Sequence, residues 1–234
     1  YLTYDLDHEI EMRALPQAWP RVIYRDTQTG SENRKRELKF GLRDGVPTSE
    51  YRSDTHCKGC ERREHFVEGT WPFGSDHHCK KCKRGTHRHW REPVARTIPD
   101  GALDMLSAIY YARTMLRAGL PEVSVPLLER EKLWELSLTR GKEKTLRTRA
   151  GKFRCQEIKL TTRVPAGEPH ADEDFQGLFG IHGTIRVWLE KETGVPVEVA
   201  GLVPIGPINL DVRLSLQSYT GTPLDFGPLP AESK

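Results

Sequence analysis

The run Ile185-Arg186-Val187-Trp188-Leu189-Glu190-Lys191-Glu192-Thr193-Gly194-Val195-Pro196-Val197-Glu198-Val199 decides the fold class of this chain. Ile185, Val187 and Leu189 alternate with Arg186, Trp188 and Glu190. Lys191 to Gly194 supply turn residues, and Val195, Val197 and Val199 resume the alternation. A period of two on both sides of a short turn sends successive side chains to opposite faces, the signature of an antiparallel hairpin.

The same period extends in both directions. Leu210, Val212, Leu214 and Leu216 form a last strand before a Pro-rich tail, 221–234. Upstream, Phe153 and Cys155 share one parity while Ile158 and Leu160 take the other, which predicts a bulge near Gln156. Cys155 alternates inward with Phe153 and reads as a buried thiol acting as a small hydrophobe. Trp134, Leu136 and Leu138 mark another strand. Leu2, Tyr4 and Leu6, then Val22 and Tyr24, then Leu38, Phe40 and Leu42 mark three more between turn residues Pro16, Pro20, Gly30 and Gly45.

One segment breaks this rhythm with a period near 3.6. Ala102, Met105, Leu106, Ile109, Ala112 and Leu116 fall on one face, Asp100 is placed to cap the start, and Asp104 lies in the first turn. Arg113 and Arg117 suit the carboxyl end, Gly119 the position after it, and Pro121 a stop. A single amphipathic helix among strands packs on a sheet.

Two cysteine pairs, Cys57-Lys58-Gly59-Cys60 and Cys79-Lys80-Lys81-Cys82, hold four of the five cysteines, with eighteen residues between the pairs. Two such knuckles suit tetrahedral Zn²⁺, and four thiolates leave no open position, so the expected zinc is structural. His56 and His78 each precede a cysteine and are candidates for replacing or orienting a ligand. A mixed Cys/His or iron site and a pair of disulfides are the alternatives; Glu61 and Lys83 stand where a c-type haem needs histidine. A long segment poor in apolar residues gains its order from such a clip. The expected organisation is 1–45, N-terminal strands; 46–97, a Cys/His zinc-binding insertion; 98–220, helix plus C-terminal antiparallel sheet; and 221–234, the tail.

With 234 residues, 36% of them hydrophobic and 29% charged, the chain is long enough to bury a core and has no apolar run long enough to cross a bilayer as a helix. Net charge is only +3, although Arg and Lys crowd 80–96 around Trp90. The loop 165–180 gathers His170, Asp172, Glu173 and Asp174 and ends on Gly177-Leu178-Phe179-Gly180, which reads either as a flap or as a loop packed back on the core. The chain opens on Tyr1, as expected of a processed or trimmed product.

Ile98-Pro99-Asp100-Gly101-Ala102-Leu103-Asp104-Met105-Leu106-Ser107-Ala108-Ile109-Tyr110-Tyr111-Ala112-Arg113-Thr114 resembles the central signature of the bacterial domain of unknown function 3108 family. Gly151-Lys152-Phe153-Arg154-Cys155, Gly183-Thr184-Ile185-Arg186-Val187-Trp188-Leu189 and Gly194-Val195-Pro196-Val197 resemble its later strands in the same order. The similarity covers 98–220 and, more loosely, the strands of 1–55; the Cys/His segment departs from it. The resemblance implies a bent antiparallel sheet, a half-open β-barrel like that of lipoprotein carriers, with one helix, and an exported protein, periplasmic or at the cell surface.

A half-closed sheet has a concave face to fill, and Tyr110, Tyr111, Trp134, Trp188 and Phe179 are the candidate ligand-lining residues. The expected function is a non-enzymatic envelope binding or scaffold protein that holds a hydrophobic ligand or a protein partner, or serves as a subunit of a larger assembly. One alternative is an envelope-polymer hydrolase or lyase using His, Arg and Tyr, for which no nucleophile motif or spaced carboxylate pair is present. The other is a zinc-ribbon nucleic-acid binder, against which the small charge surplus weighs.

Overall fold

A computed structural model describes residues 6–14, 22–30, 34–55, 89–169, 175, 177, 180–205 and 208–220, within two compact units, Tyr1–Ile98 and Pro99–Lys234. Each unit holds one six-stranded antiparallel sheet, and neither sheet closes into a barrel. Among the described residues the mainly β class with one helix, read from the alternation, is the observed one. Leu2, Tyr4, His56, His78, Phe179 and the four knuckle cysteines lie outside the described residues. Among the described residues no helix is long and apolar enough to span a membrane, a statement that does not extend to strands.

In the first unit β1 (Leu6–Ala14), β2 (Val22–Gly30), β3 (Arg34–Arg43) and β4 (Val46–Thr55) pair in chain order. The β3–β4 turn is Asp44-Gly45, both with positive φ, the Asp-Gly chemistry that a two-residue hairpin needs. β5 (His89–Trp90) and β6 (Val94–Thr97) both pair with β4, at Asp54–Thr55 and Thr48–Tyr51. Residues 46–55, 89–90 and 94–97, which the sequence reading grouped with the 46–97 insertion, are strands of this sheet. The sequence signal there is weak because charged and hydroxyl residues alternate with Tyr51 in place of aliphatic ones.

Charges cross this sheet in register. Glu11 faces Arg25, Arg25 faces Glu37, and Glu37 faces Arg52 on successive strands. Arg25 Nε donates to Glu37 Oε2 at 2.8 Å, Arg52 Nη2 reaches Glu37 Oε1 at 2.6 Å, and Lys39 Nζ lies 3.2 Å from the same oxygen. Arg52 then lies over the Trp90 ring, 4.4 Å from its centroid. Glu37 is buried beneath its cations. Burial pushes its carboxyl up, but the hydrogen bonds from Arg25, Lys39 and Arg52 outweigh that and hold it below the ordinary value. Leu38 and Phe40, of opposite parity, are buried on the other face.

In the second unit β7 (Glu122–Glu129), β8 (Lys132–Thr148), β9 (Gly151–Arg163), β10 (His182–Glu190), β11 (Pro196–Ile205) and β12 (Ile208–Ser215) form a meander. Helix α1 (Met105–Arg117) precedes it and packs on β7. Its N-cap is Asp104, not Asp100: Asp104 accepts from the Leu106 and Ser107 amides and from the Ser107 hydroxyl. The helix cannot start earlier because Gly101 turns with φ +71 and Leu103 is bridged to β7, donating to Pro126 O at 2.9 Å and accepting from Leu128 N at 2.7 Å. Burial pushes the Asp104 carboxyl up despite these hydrogen bonds. At the other end Gly119, φ +70, closes the helix with Leu116 and Met115 carbonyls as acceptors.

The sheet has two apolar faces. Leu136, Leu138, Ile158, Leu160, Ile185 and Val187 share one face and are fully buried. Ala108, Ile109, Ala112, Met115 and Leu116 of α1 are buried with them, and Arg113, also buried, donates to Thr193 O in the β10–β11 turn at 2.9 Å. Each fully buried Leu or Ile contributes about 1.5–3 kcal/mol. The expected bulge exists but lies on β8: between the Arg140–Ile158 and Glu143–Gln156 pairs, Gly141 and Lys142 oppose the single residue Glu157. Gln156 Nε2 donates to Gly141 O at 2.8 Å and Lys142 O at 3.2 Å, and a Cβ at Gly141 would meet the Glu157 carboxylate. Past this point the even residues of β8 change face. Leu146 therefore joins Phe153, Cys155, Trp188 and Val197 in a second cluster on the opposite side.

Candidate apolar binding groove

Proline removes a ladder donor, so within sheets it is confined to edges. Pro126 stands inside β7, and β7 is an edge strand. Pro99 and Pro165 flank the same place, and with Val125, Leu133 and Trp134 they line a groove of about 300 Å³. Ser124 and Glu135 complete the lining. The volume is at the small end of the range of about 300–1,000 Å³ found for small-molecule sites. The three proline walls offer no backbone N–H donor, so along them an apolar group is favoured over a hydrogen-bond acceptor, which would lose its water without replacement.

One wall is charged and already held. Arg163 faces Glu135 across the β8–β9 pair, and its Nη2 donates to Glu135 Oε1 at 2.6 Å. The hydrogen bond from Arg163 holds the Glu135 carboxyl below its ordinary range. Ser124 and Ser137 hydroxyls lie 3.0 Å apart on the same wall. Arg163 is 73% exposed, so the pair sits in solvent and contributes little to stability.

Trp134 is buried and supplies the floor. The Phe175 ring stands against it edge-on, centroids 5.2 Å apart at 76°. Gly177 N donates to Ile181 O at 2.8 Å, and a Cβ on Gly177 would come within 2.9 Å of Ile185 Cδ1. Phe175 and Gly177 of the 165–180 loop are thus packed against the sheet, while Leu178 and Phe179, on which the choice between flap and packed loop turns, lie outside the described residues.

Of the five candidate ligand-lining residues, Trp134 lines this groove. Trp188 has the opposite parity to Val187 and sits in the second cluster, with Lys144 Nζ 5.7 Å from its ring centroid. Tyr110 and Tyr111 are half-buried on α1 and are not among the lining residues. Sequence reasoning missed Pro99, Pro126, Pro165 and Leu133. The available signal was Pro126 inside a Val-Leu run, which marks an edge strand. Cys155 is buried as expected, and burial pushes its thiol up to about 11, so it stays protonated at neutral pH.

Among the described residues no group of three or more His, Cys, Asp or Glu is placed to hold one metal ion. The described residues do fix the base of the cysteine-bearing segment. Thr55 and His89 are register partners, so the two residues that flank 56–88 lie side by side in the sheet.

The family model described as "Protein of unknown function (DUF3108)" matches residues 80–213. No curated protein matches the chain, and no solved structure does.

Proposed function

The chain belongs to the DUF3108 family, and from that premise we propose that it is a non-enzymatic binding or scaffold protein of the cell envelope whose second unit seats an apolar ligand or apolar partner segment beside Trp134. The family description assigns no activity, so the reading rests on the groove itself. Proline, valine, leucine and tryptophan walls with one satisfied ion pair at the rim are chemistry for holding an alkyl or aromatic group, not for moving protons. A catalytic reading needs a histidine or tyrosine beside a base. The His182 ring, the described histidine side chain, pairs instead with Asn209 Oδ1 at 3.1 Å.

The direct test uses a fatty acid brominated along its chain. Saturable quenching of tryptophan emission that is lost in Trp134→Phe and in Leu133→Glu supports the reading. Absence of quenching, or quenching unchanged in both variants, overturns it.

The structural zinc site belongs to the same proposal, with Cys57, Cys60, Cys79 and Cys82 as ligands and His56 and His78 beside them. Its support is the paired two-residue spacing and the clamped base at Thr55 and His89, which already meets part of the loop-closure cost of gathering four thiolates. Stoichiometric zinc with thiols that react only after chelation is the expected result. Two disulfides and no metal would refute it.

A further inference from the structure

The two edges of the second sheet are treated differently. Exposed edge strands offer a row of unpaired N–H and C=O groups, and proteins guard them with proline, covering segments, bulges or charges aimed inward. β7 has two of these guards, Pro126 within it and Leu103 bridged to its outer side. β12 has neither; among the described residues it pairs with β11 alone and contains no proline. It also exposes its apolar side chains: Ile208 is 56% exposed, Leu210 42% and Leu214 40%.

The sequence of this edge reads the same in both directions in chemical terms. About Val212 it runs Leu210-Asp211-Val212-Arg213-Leu214. In an antiparallel pair of two copies related by a two-fold axis at Val212, Leu210 faces Leu214 of the other copy, Asp211 faces Arg213, and Val212 faces itself. Every opposed pair is then favourable. Shifting the axis to Asp211 or Arg213 sets like charges opposite one another. Shifting it by half a residue sets Leu210 against Arg213. One register stands out.

The charged pair is free to make this exchange. Within one copy Asp211 Oδ1 lies 3.6 Å from Arg213 Nε, and its Oδ2 lies 3.6 Å from Arg186 Nη2, both long contacts between side chains that are about half exposed. Such pairs hold little in water, so redirecting Arg213 across a new strand boundary gives up little. Arg186 stays beside Asp211. We infer that β12 is a self-recognition edge, at which a second copy of this chain adds its own β12 antiparallel about Val212 to make a continuous twelve-stranded sheet.

The test is sedimentation velocity of the full chain over a range of micromolar concentrations. The unaltered protein forms a dimer. Asp211→Arg and Arg213→Asp, each placing like charges opposite one another, weaken the dimer at least tenfold. The double exchange, D211R with R213D, restores the original affinity within a few fold, because the opposed charges are again complementary. All three changes are at exposed positions, and unchanged circular dichroism confirms that the fold survives. A chain that stays monomeric up to 100 µM, or a dimer indifferent to the single charge changes, overturns the inference; so does a double exchange as weak as either single variant.

Discussion

The two sheets are built from the same number of antiparallel strands and held by different chemistry. In Tyr1–Ile98 one face is crossed by alternating charges, Glu11, Arg25, Glu37 and Arg52, ending on the Trp90 ring. In Pro99–Lys234 the corresponding role falls to aliphatic pairs such as Leu138, Leu160 and Ile185 beneath a helix. The first arrangement depends on direction and register, since each charge needs its opposite at one position. The second depends on filled volume. Perturbations that tell these two apart are therefore the informative ones.

The largest effect is expected from Leu138→Ala. Leu138 is fully buried, and deleting its branched end leaves a cavity worth about 3 kcal/mol of lost stability. Hydrogen exchange should show the loss across 99–220 while β1 to β4 keep their protection. A loss shared equally by both units would mean that they unfold as one.

Glu37→Gln comes next and acts on the other sheet. It leaves Arg25, Lys39 and Arg52 around a neutral amide, at a cost of about 1–3 kcal/mol. The change also carries a pH signature. Because the folded state holds Glu37 below its ordinary value of 4.5, its contribution is present above that value and is lost as pH falls through the lower folded value. Denaturant titrations from pH 6 to pH 3 should show the first unit losing less stability in the Gln variant than in the parent. Asp104 has the opposite sign. Burial raises its carboxyl above 3.8, so its contribution is present below that value and is lost as pH rises through the folded one. An identical acid response with and without Glu37 removes the ladder from the account of stability.

The smallest expected effect is at the end of the ladder. Trp90→Leu keeps an apolar side chain but removes the ring under Arg52, and should cost about 0.5–1 kcal/mol. Measured after Glu37→Gln, the same change should cost less, since Arg52 is then no longer held in place. Equal costs in both backgrounds would show that the two contacts are independent.

How much of this was legible in the chain depends on which force made each element. Alternation located β8 to β12 and the β10–β11 turn because burial on one face leaves a period-two trace in the residues themselves. The helix was legible for the same reason, but its start was not. Asp100 and Asp104 are chemically equal as caps, and the bridge between Leu103 and β7 that decides between them is a tertiary fact. The bulge was inferred from the parity change in β9 and assigned there; the extra residue sits on the partner strand, which no reading of β9 alone reveals. β4 was missed because its neighbours are charges and hydroxyls. The groove was missed because prolines far apart in sequence carry no periodic signal. Trp134 and Trp188 looked equivalent as aromatic residues within strands, and only the pairing shows that they face opposite sides.

The surplus residue at Gly141 and Lys142 acts on the pleat as a frameshift acts on a message. Upstream of it the even positions of β8 belong to the helix-covered core, and downstream they belong to the Trp188 cluster. Strand length here carries information that side-chain chemistry does not. Trimming one residue at 141–142 would restore one-for-one pairing and erase the bulge while Lys144 and Leu146 stay opposite Cys155 and Phe153, whereas adding a second residue there would turn that whole end of the strand to the other face.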